Sequence, residues 1–236
     1  IKYIKIPSGE INNYILLTKL SKFRKKFILS VGNSNYREIN NAINILNNNF
    51  KKNIIILHCV SDYPAKESEM NLKTIPFLKK KFKTEIGLSD HSTSIFVPSL
   101  AVALGAKVVE KHITDNNNLI GPDHKSSLNI QDFKKMITNL RNTETILGIE
   151  GKIISKSELK NKKLVRKFIV AKNKIKKGEK FSEMNVTTKR TGKGIPANFY
   201  FKIIGKRAKK SFMNDELIIT WKNLFYEKKN YLRINF

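Results

Sequence analysis

Short runs rich in β-branched residues alternate with stretches of helical periodicity over the first 150 residues of the chain. The runs predict five strands, at 2–6, 27–31, 54–59, 85–88 and 107–113. Between and after them, apolar residues three or four positions apart predict helices at 35–49, 72–82, 97–104 and 132–147. Strands separated by helices pair in parallel through right-handed crossovers. The alternation therefore predicts an α/β fold, either an open doubly wound sheet or a (β/α)₈ barrel.

Polar side chains follow each predicted strand. They are Lys5 and Ser8, Ser30, Ser61 and Tyr63, Ser89 and His91, and Lys111 and His112. In a barrel all the carboxyl ends of the strands surround one active site, whereas an open sheet concentrates its site at one switch point. No G-x-G-x-x-G motif of a dinucleotide-binding sheet follows a strand. The distribution favours the barrel, and because only five of eight strand units are present, it predicts a chain truncated before Ile1.

The character of the sequence changes after Gly148. Residues 150–163 are polar and rich in lysine, and Ser155 with Glu158 predicts a capping box for a short helix. Short strands are then predicted at 168–171, 186–189, 203–208 and 217–220. We therefore expect the C-terminal part of a TIM barrel at 1–149, a linker at 150–165, a small β-rich domain at 166–225 and a tail at 226–236.

The chain carries a formal net charge of +27. A nucleic-acid-binding protein would have such a charge, but no zinc finger, helix-turn-helix or aromatic–basic stacking motif accompanies it. Lys, Asn and Ile are abundant throughout, which favours compositional drift, and we expect no nucleic-acid partner. The sequence contains no run of about 18 apolar residues, so no membrane span is predicted. The single cysteine, Cys59, is typical of a reducing, cytoplasmic compartment.

Two of the four histidines end neighbouring predicted strands. His91 follows one strand and His112 ends the next, and adjacent strands lie about 4.8 Å apart, so the two imidazoles can share one metal ion. Imidazole suits Mn, Fe, Zn or Ni, and two protein ligands leave positions for water and substrate. The alternative is a pair of hydrogen-bonded core histidines. Asp90 and Glu110 are expected either to hold the imidazole tautomers or to be solvated strand ends.

Other polar side chains predict an anion site. Lys5, Ser30 and Ser89 can bind a phosphate or carboxylate, because lysine supplies a point charge and hydroxyls supply directional donors. Asp123, in the loop after the last barrel strand, can accept hydrogen bonds from substrate hydroxyls or serve as a turn residue. Arg190 lies in a basic loop flanked by glycine, which is either a solvated hairpin turn or presents an arginine to a substrate across a dimer interface.

Together these motifs resemble the sialic-acid synthase family, whose members condense phosphoenolpyruvate with an N-acetylated sugar. The matching stretches are KIPSGE at 5–10, LHCVSDYP at 57–64, GLSDH at 87–91, AVALGAKVVEKH at 101–112 and GPDH at 121–124. The stretch from Phe168 onward resembles the antifreeze-like, or SAF, domain of these synthases, with IKKGE at 175–179 and the pair Lys189-Arg190. One departure is Thr191, where the family has proline after the arginine.

The resemblance implies a role for each candidate residue. His91 and His112 match the family's metal-binding histidines, whose usual ion is Mn²⁺. The residues that match the phosphoenolpyruvate site are Lys5, Ser30, Ser61, Tyr63 and Ser89. Tyr63, Asp123 and Arg190 match contacts to the sugar, and the arginine is offered to the partner subunit's site in a domain-swapped homodimer. The catalytic acid and base are expected in strands that precede Ile1, so this polypeptide alone is expected to be inactive.

The implied reaction joins the enol carbon of phosphoenolpyruvate to the aldehyde carbon of the open-chain sugar. Water then adds, phosphate leaves with C–O cleavage, and the product is a nine-carbon nonulosonic acid. Residues 58–66 and 90–96 favour the legionaminic or sialic acid branch over the pseudaminic branch, and leave N-acetylmannosamine and its 2,4-diacetamido-trideoxy analogue as alternatives. Two rival functions remain open at this point: another metal-dependent keto-acid synthase or aldolase barrel, and a non-catalytic carbohydrate-binding module.

Overall fold

The computed structural model describes residues 1–47 and 54–219. The chain divides into two compact units, one made of residues 1–150 and a second that begins at Gly151. Three predicted features fall wholly or partly outside the described residues: the end of the helix at 35–49, the end of the strand at 217–220, and the tail at 226–236.

The first unit is an alternation of strands and helices. Its main strands are β1 (Tyr3–Ile6), β2 (Lys26–Ser30), β3 (Ile54–Cys59), β4 (Glu85–Asp90) and β5 (Val109–Lys111). Its helices are α1 (Tyr14–Ser21), α2 (Tyr36–Leu46), α3 (Thr74–Phe82), α4 (Val97–Ala103) and α5 (Ile130–Leu147). A short parallel pair, β6 (Ile113–Thr114) and β7 (Leu128–Asn129), precedes α5. The five predicted strands and four predicted helices are confirmed, with shifts of a few residues at their ends.

Helix α1 was not predicted, because its apolar residues do not form a clear stripe. Leu17 is fully buried while Ile15 is 74% exposed. The helix begins at Asn13, whose side chain accepts a hydrogen bond from the backbone N–H of Leu16 at 3.1 Å. The N-cap therefore marks this helix more clearly than its hydrophobic pattern does.

The five main strands form one parallel sheet in the order β1-β2-β3-β4-β5. A doubly wound sheet reverses its strand order at a switch point, whereas a barrel adds strands in sequence order. The sequential order therefore confirms the prediction of a partial (β/α)₈ barrel. Within the described sheet, β1 and β5 are the edge strands.

The two faces of this sheet differ in character, because successive side chains of a strand point to opposite faces. On the helix-covered face, Ile6, Leu29, Ile56 and Leu88 are buried in one core with residues of α2, α3 and α4. The alternate positions belong to the other face, and they include Lys5, Ser30, Ser89 and Glu110. The strands thus bury an apolar layer on the helix side, whereas the other face combines polar groups with apolar residues such as Leu57.

A contact between the two edge strands shows that the polar face is concave. The ammonium of Lys5 on β1 lies 3.5 Å from a carboxylate oxygen of Glu110 on β5. Four strand spacings of about 4.8 Å would hold the edges of a flat sheet about 19 Å apart. The sheet therefore curls toward its polar face, as the wall of a barrel does.

The second unit begins with α6 (Lys156–Val165), which starts at the predicted capping box of Ser155 and Glu158. Strands β8 (Phe168–Ala171) and β9 (Val186–Lys189) pair antiparallel, and α7 spans Tyr200–Ile203. The core of the unit includes Ile169, Ile175, Phe181, Val186, Phe212 and Ile218. None of the helices formed by residues 1–47 and 54–219 is long and apolar enough to cross a membrane.

The predicted strand at 203–208 is wrong. Ile203 ends α7, Gly205 has a positive φ of 83°, and Arg207 makes only an isolated antiparallel bridge with Lys180. Burial of Ile203 and Ala208 in the core of the second unit gives this stretch the apolar pattern of a strand. The described part of the predicted strand at 217–220 also forms no regular strand, and Leu217 makes an isolated bridge with Val170.

Gly87 on β4 is a position where a side chain would collide with the sheet. An added Cβ would lie 2.3 Å from the carbonyl oxygen of Val108 and 2.5 Å from Cδ2 of Leu57. We expect Gly87→Ala to lower the free energy of unfolding by about 1–3 kcal/mol, as overpacking does. Urea denaturation measures the change. Gly9→Ala is the control, because no atom lies within 4 Å of its added Cβ, and equal effects of the two substitutions would contradict the prediction.

Candidate metal centre and active site

The imidazoles of His91 and His112 lie together at the carboxyl ends of β4 and β5. Their ring centroids are 5.5 Å apart and the ring planes are nearly perpendicular, at 81°. His91 is buried, whereas 31% of the His112 side chain is exposed. The parallel pairing of β4 with β5 brings the two rings to the same end of the sheet.

A backbone carbonyl selects the tautomer of His91. Its Nδ1 lies 2.7 Å from the carbonyl oxygen of Val60, and because a carbonyl only accepts, Nδ1 carries the proton and Nε2 keeps its lone pair. Burial lowers the pKa of His91, which favours the neutral form that binds metals. Of the two readings of Asp90 and Glu110, tautomer partners or solvated strand ends, the first is wrong, since both carboxylates bond to other partners. The second is wrong for Asp90, which is buried.

Tyr63, in the loop after β3, covers the histidine pair. Its ring centroid lies 4.2 Å from that of His91 and 5.7 Å from that of His112. About half of the tyrosine is exposed. Burial raises the pKa of Tyr63, and nearby Cys59, Asp123 and Glu110 raise it further. The phenol therefore stays protonated at neutral pH and remains a hydrogen-bond donor.

Glu110 connects two of the predicted anion-site residues. It accepts a hydrogen bond from the hydroxyl of Ser89 at 2.7 Å and lies 3.5 Å from the ammonium of Lys5. The same Ser89 oxygen lies 3.3 Å from Nε2 of His91. Polar contacts thus connect Lys5 through Glu110 and Ser89 to His91 across the concave face of the sheet. Sequence reasoning missed Glu110 as this link.

Ser30 and Ser61 lie at the ends of β2 and β3. The hydroxyl of Ser30 is buried and has no hydrogen-bond partner within residues 1–47 and 54–219. Most buried hydroxyls are paired, so an unpartnered one on a concave polar face is suited to a ligand or to water. Ser61 lies 3.1 Å from the hydroxyl of Ser8, which also belongs to a predicted strand end.

Asp123 lies in the loop between β6 and β7. One of its carboxylate oxygens is 3.9 Å from Nδ1 of His112. The loop therefore places an acidic group beside the histidine pair. The loop is held by the amide of Asn117, which donates to the carbonyls of His124 and Ser127. Arg190 belongs to the second unit, where it is exposed and directly follows β9.

A buried ion pair behind the histidines was not predicted. The ammonium of Lys111 lies 2.6 Å from Asp90, and the two side chains are 1% and 0% exposed. Burial lowers the pKa of Lys111, although Asp90 opposes that shift. The alternation of side chains along β4 and β5 could have predicted the pair, since it places both residues on the helix-facing side of the sheet. Their place in the strands, and not their charge, could have revealed them.

The described residues contain no group of three or more His, Cys, Asp or Glu side chains arranged to hold a metal ion. The donors available at the candidate centre are therefore the imidazoles of His91 and His112. The carboxylates of Asp123 and Glu110 lie nearby but outside such a group. A centre of this kind leaves most coordination positions to water and substrate.

Comparisons with known proteins agree with the two units. The model of the NeuB family matches residues 1–152, and that of the SAF domain matches residues 166–224. The N,N'-diacetyllegionaminic acid synthase of Campylobacter jejuni is 50% identical over 220 residues, which are 92% of this chain and 66% of that protein. The pseudaminic acid synthase of the same organism is 39% identical over 207 residues, which are 87% and 60% of the two chains.

A solved structure also matches. The N-acetylneuraminic acid (sialic acid) synthetase of Leptospira borgpetersenii, crystallised with citrate, is 37% identical, with a TM-score of 0.64 over 68% of this chain and 56% of that one. The chain thus spans no more than 66% of the length of these relatives.

Cys59 offers a test of the packing beneath the site. Its thiol is buried, accepts a hydrogen bond from the backbone N–H of Gly32 at 3.0 Å, and has a pKa raised by that burial. We expect the pH midpoint of its alkylation by iodoacetamide to lie above the ordinary thiol value of about 8.5. Mass spectrometry of the native protein across pH measures the rate, with the protein in denaturant as the control. A midpoint at or below the denatured value would contradict this packing.

Proposed function

This chain belongs to the NeuB family, and on that premise we propose that it acts in the condensation of phosphoenolpyruvate with an N-acetylated hexosamine. The products are a nonulosonic acid and phosphate. The observation that carries the proposal is the concave face, which the histidine pair shares with Lys5 and with the hydroxyl of Ser30, buried and without a partner among the described residues. Relatives named as synthases of such acids support it.

For the sugar, we propose the legionaminic or sialic acid branch. The 50% identity to the legionaminic acid synthase of Campylobacter jejuni, against 39% to the pseudaminic acid synthase of the same organism, supports this choice. The candidate substrates are 2,4-diacetamido-2,4,6-trideoxymannose and N-acetylmannosamine. Both carry an N-acetyl group and, in the open-chain form, an aldehyde.

We propose that His91 and His112 hold one divalent ion, Mn²⁺. The residues fit such an ion, because the Val60 carbonyl fixes the Nδ1 proton of His91 and leaves Nε2 free to coordinate. When bound, the ion supplies Lewis-acid polarisation of a carbonyl oxygen. The carboxylate of Asp123, near His112, adds negative charge that favours a cation.

The anionic substrate has its own partners in the proposal. Lys5 offers a point charge to the phosphate and carboxylate of phosphoenolpyruvate. Ser30 donates its unpartnered hydroxyl, and Ser61 and Ser89 lie at the ends of the next two strands. Because Lys5 is held near Glu110, the substrate's negative charge competes with this carboxylate for the ammonium. The site thereby exchanges an internal ion pair for a bound anion.

Three side chains are proposed to bind the sugar. Tyr63 offers a phenol beside the histidines, and Asp123 accepts hydrogen bonds from sugar hydroxyls. Arg190 of the second unit is offered to the partner subunit's site in a domain-swapped homodimer, as an exposed loop position would allow. The proposed segments are the barrel part at 1–149, the linker at 150–165, the β-rich domain at 166–225 and the tail at 226–236. We also propose a cytoplasmic location.

In the proposed reaction, a C–C bond forms between C3 of phosphoenolpyruvate and the sugar aldehyde, whose oxygen gains a proton. Positive charge develops at C2 of phosphoenolpyruvate, and water adds there and loses one proton, which balances the proton gained by the aldehyde oxygen. The C2 hydroxyl then becomes the ketone as the C–O bond to phosphate breaks, and its proton leaves with the phosphate. Lys5 and the serine hydroxyls stabilise the charge of the leaving phosphate. Tyr63 limits the access of bulk water by covering the histidine pair.

We propose that a polypeptide of these 236 residues is inactive by itself. Within residues 1–47 and 54–219, its main sheet has five strands, and the edge strands β1 and β5 each have one neighbour. A closed barrel has eight strands, which together surround the substrates. An open wall leaves the proposed substrate site accessible to water from one side.

Metal binding tests the proposed centre directly. We expect His91→Ala and His112→Ala each to weaken Mn²⁺ binding by at least about 100-fold, since loss of a ligand exceeds the effect of losing an outer partner. Titration of free Mn²⁺ by electron paramagnetic resonance measures the affinity. His58→Gln is the control, because His58 belongs to the opposite face of the sheet and bonds the carbonyl of Met70. Unchanged affinity in both alanine variants would refute the centre.

A chimera tests the reaction. It joins the amino-terminal part of the Campylobacter jejuni relative, up to the residue that aligns with the start of this chain, to Ile1. With phosphoenolpyruvate, Mn²⁺ and either sugar, we expect the chimera to release phosphate and the 236-residue chain to release none. The chimera with His91→Ala is the control. A folded, metal-binding chimera that releases no phosphate would contradict the synthase proposal, and release by the chain alone would contradict its inactivity.

A further inference from the structure

The buried ion pair lies directly behind the histidine pair. Asp90 immediately precedes His91, Lys111 immediately precedes His112, and Asp90 and Lys111 are register partners on β4 and β5. Successive residues of a strand point to opposite faces. One charged pair on the helix side of the sheet is therefore matched by one imidazole pair on the concave side.

The ammonium of Lys111 binds both sides of the His91 backbone. It lies 2.6 Å from Oδ2 of Asp90 before the histidine, and after it contacts the carbonyl and hydroxyl oxygens of Ser92 and the carbonyl of Ser94, the last at 3.3 Å. Oδ1 of Asp90 accepts the backbone N–H of Ser92 at 2.9 Å. His91 thus lies in a short turn, from Asp90 to Ser94, whose two ends both bond to the ammonium of Lys111.

Other contacts hold each histidine separately. The backbone carbonyl of His91 accepts from the N–H of Ala65 at 3.0 Å, and that of His112 accepts from the N–H of Leu128 at 3.0 Å. The first bond ties His91 to the loop after β3, and the second ties His112 to β7. Among the side-chain contacts of the described residues, the Asp90–Lys111 pair is the one that joins the two histidine-bearing strands from behind.

The energetics favour a role in geometry over a role in stability. Two charges lose their hydration when they are buried, and an apolar pair of similar volume commonly gives equal or greater stability. This pair is 1% and 0% exposed and its charges are satisfied by directional bonds. Such bonds fix the distance between two strand ends more narrowly than apolar packing does.

We propose that Asp90 and Lys111 are positioning residues, which set the separation and orientation of His91 and His112 for a divalent ion. The inference rests on the proposed metal centre. A bound ion requires its ligands at set distances, and partners that lie behind ligands commonly contribute about 10–100-fold to metal affinity. The ion pair lies on the helix side of the sheet, opposite the imidazoles, so it acts through the backbone of both histidines.

The test compares metal affinity with stability in Asp90→Asn, Lys111→Met and the double variant. We expect all three to bind Mn²⁺ about 10–100-fold more weakly, and the resonance spectrum of the bound ion to change. The single variants leave a buried group unpaired and lower the Tm of the metal-free protein, whereas the double variant recovers much of that Tm. Recovery of Tm without recovery of affinity separates positioning from a merely structural role.

Ile56→Ala is the matched control, since Ile56 is fully buried in the same helix-facing layer on β3. It should lower Tm while Mn²⁺ affinity, measured well below every Tm, stays within about twofold, smaller than an outer-partner effect. If the double variant binds Mn²⁺ as tightly as the unaltered chain, or Ile56→Ala weakens binding equally, the proposal is overturned. The Mn²⁺ affinity of the double variant tests the positioning role even where the single variants fail to fold.

Failure of the metal centre itself gives a different pattern. In that case the unaltered chain binds no Mn²⁺, or His91→Ala and His112→Ala retain it, and both proposals fall together. If the histidine variants lose the ion but the three ion-pair variants keep it, only the positioning role is overturned.

Discussion

Parallel pairing of five consecutive strands, each in register with the next, is the constraint on which the rest of the first unit depends. Because side chains alternate along every strand, one register decides which residues meet the helices and which face the concave side. Leu29 and Ile56 enter the apolar core by this alternation, and Ser30 and Glu110 take the polar face. A slip of one residue in any strand would exchange the two layers.

The candidate centre is fixed by buried polar contacts on the helix side of the sheet, and its imidazoles face the concave side. On the helix side, Asp90 and Lys111 are buried and fully bonded, so the strand ends have little freedom. On the concave side, Nε2 of His91 keeps a lone pair, and the hydroxyl of Ser30 has no partner in the part of the chain that the structure describes. Unpaired groups on a rigid frame are the arrangement that ligand binding requires, since their hydration is already lost and their positions are already set.

Family membership bears on the alternatives that the residues alone left open. A histidine pair at strand ends is compatible with several metal-dependent barrels, and a small β-rich domain is compatible with a binding module. The NeuB match over 1–152, followed by the SAF match over 166–224, joins both features in one family. The expectation that the +27 charge reflects drift, and not nucleic-acid binding, stays a prediction.

The sequence by itself determined the five main strands, four of the five helices of the first unit, the barrel class, and the meeting of His91 with His112, because these follow from local periodicity and strand order. It failed where an apolar pattern had another cause, as at 203–208, where burial occurs in a helix end and a turn. Only the tertiary structure decided hydrogen-bond partners: the Val60 carbonyl for His91, Glu110 for Lys5, and Lys111 for Asp90. The physical reason is that periodicity acts between neighbours in the chain. A polar side chain instead selects among groups that strand pairing and the curvature of the sheet bring within 4 Å, from residues as much as 105 positions away.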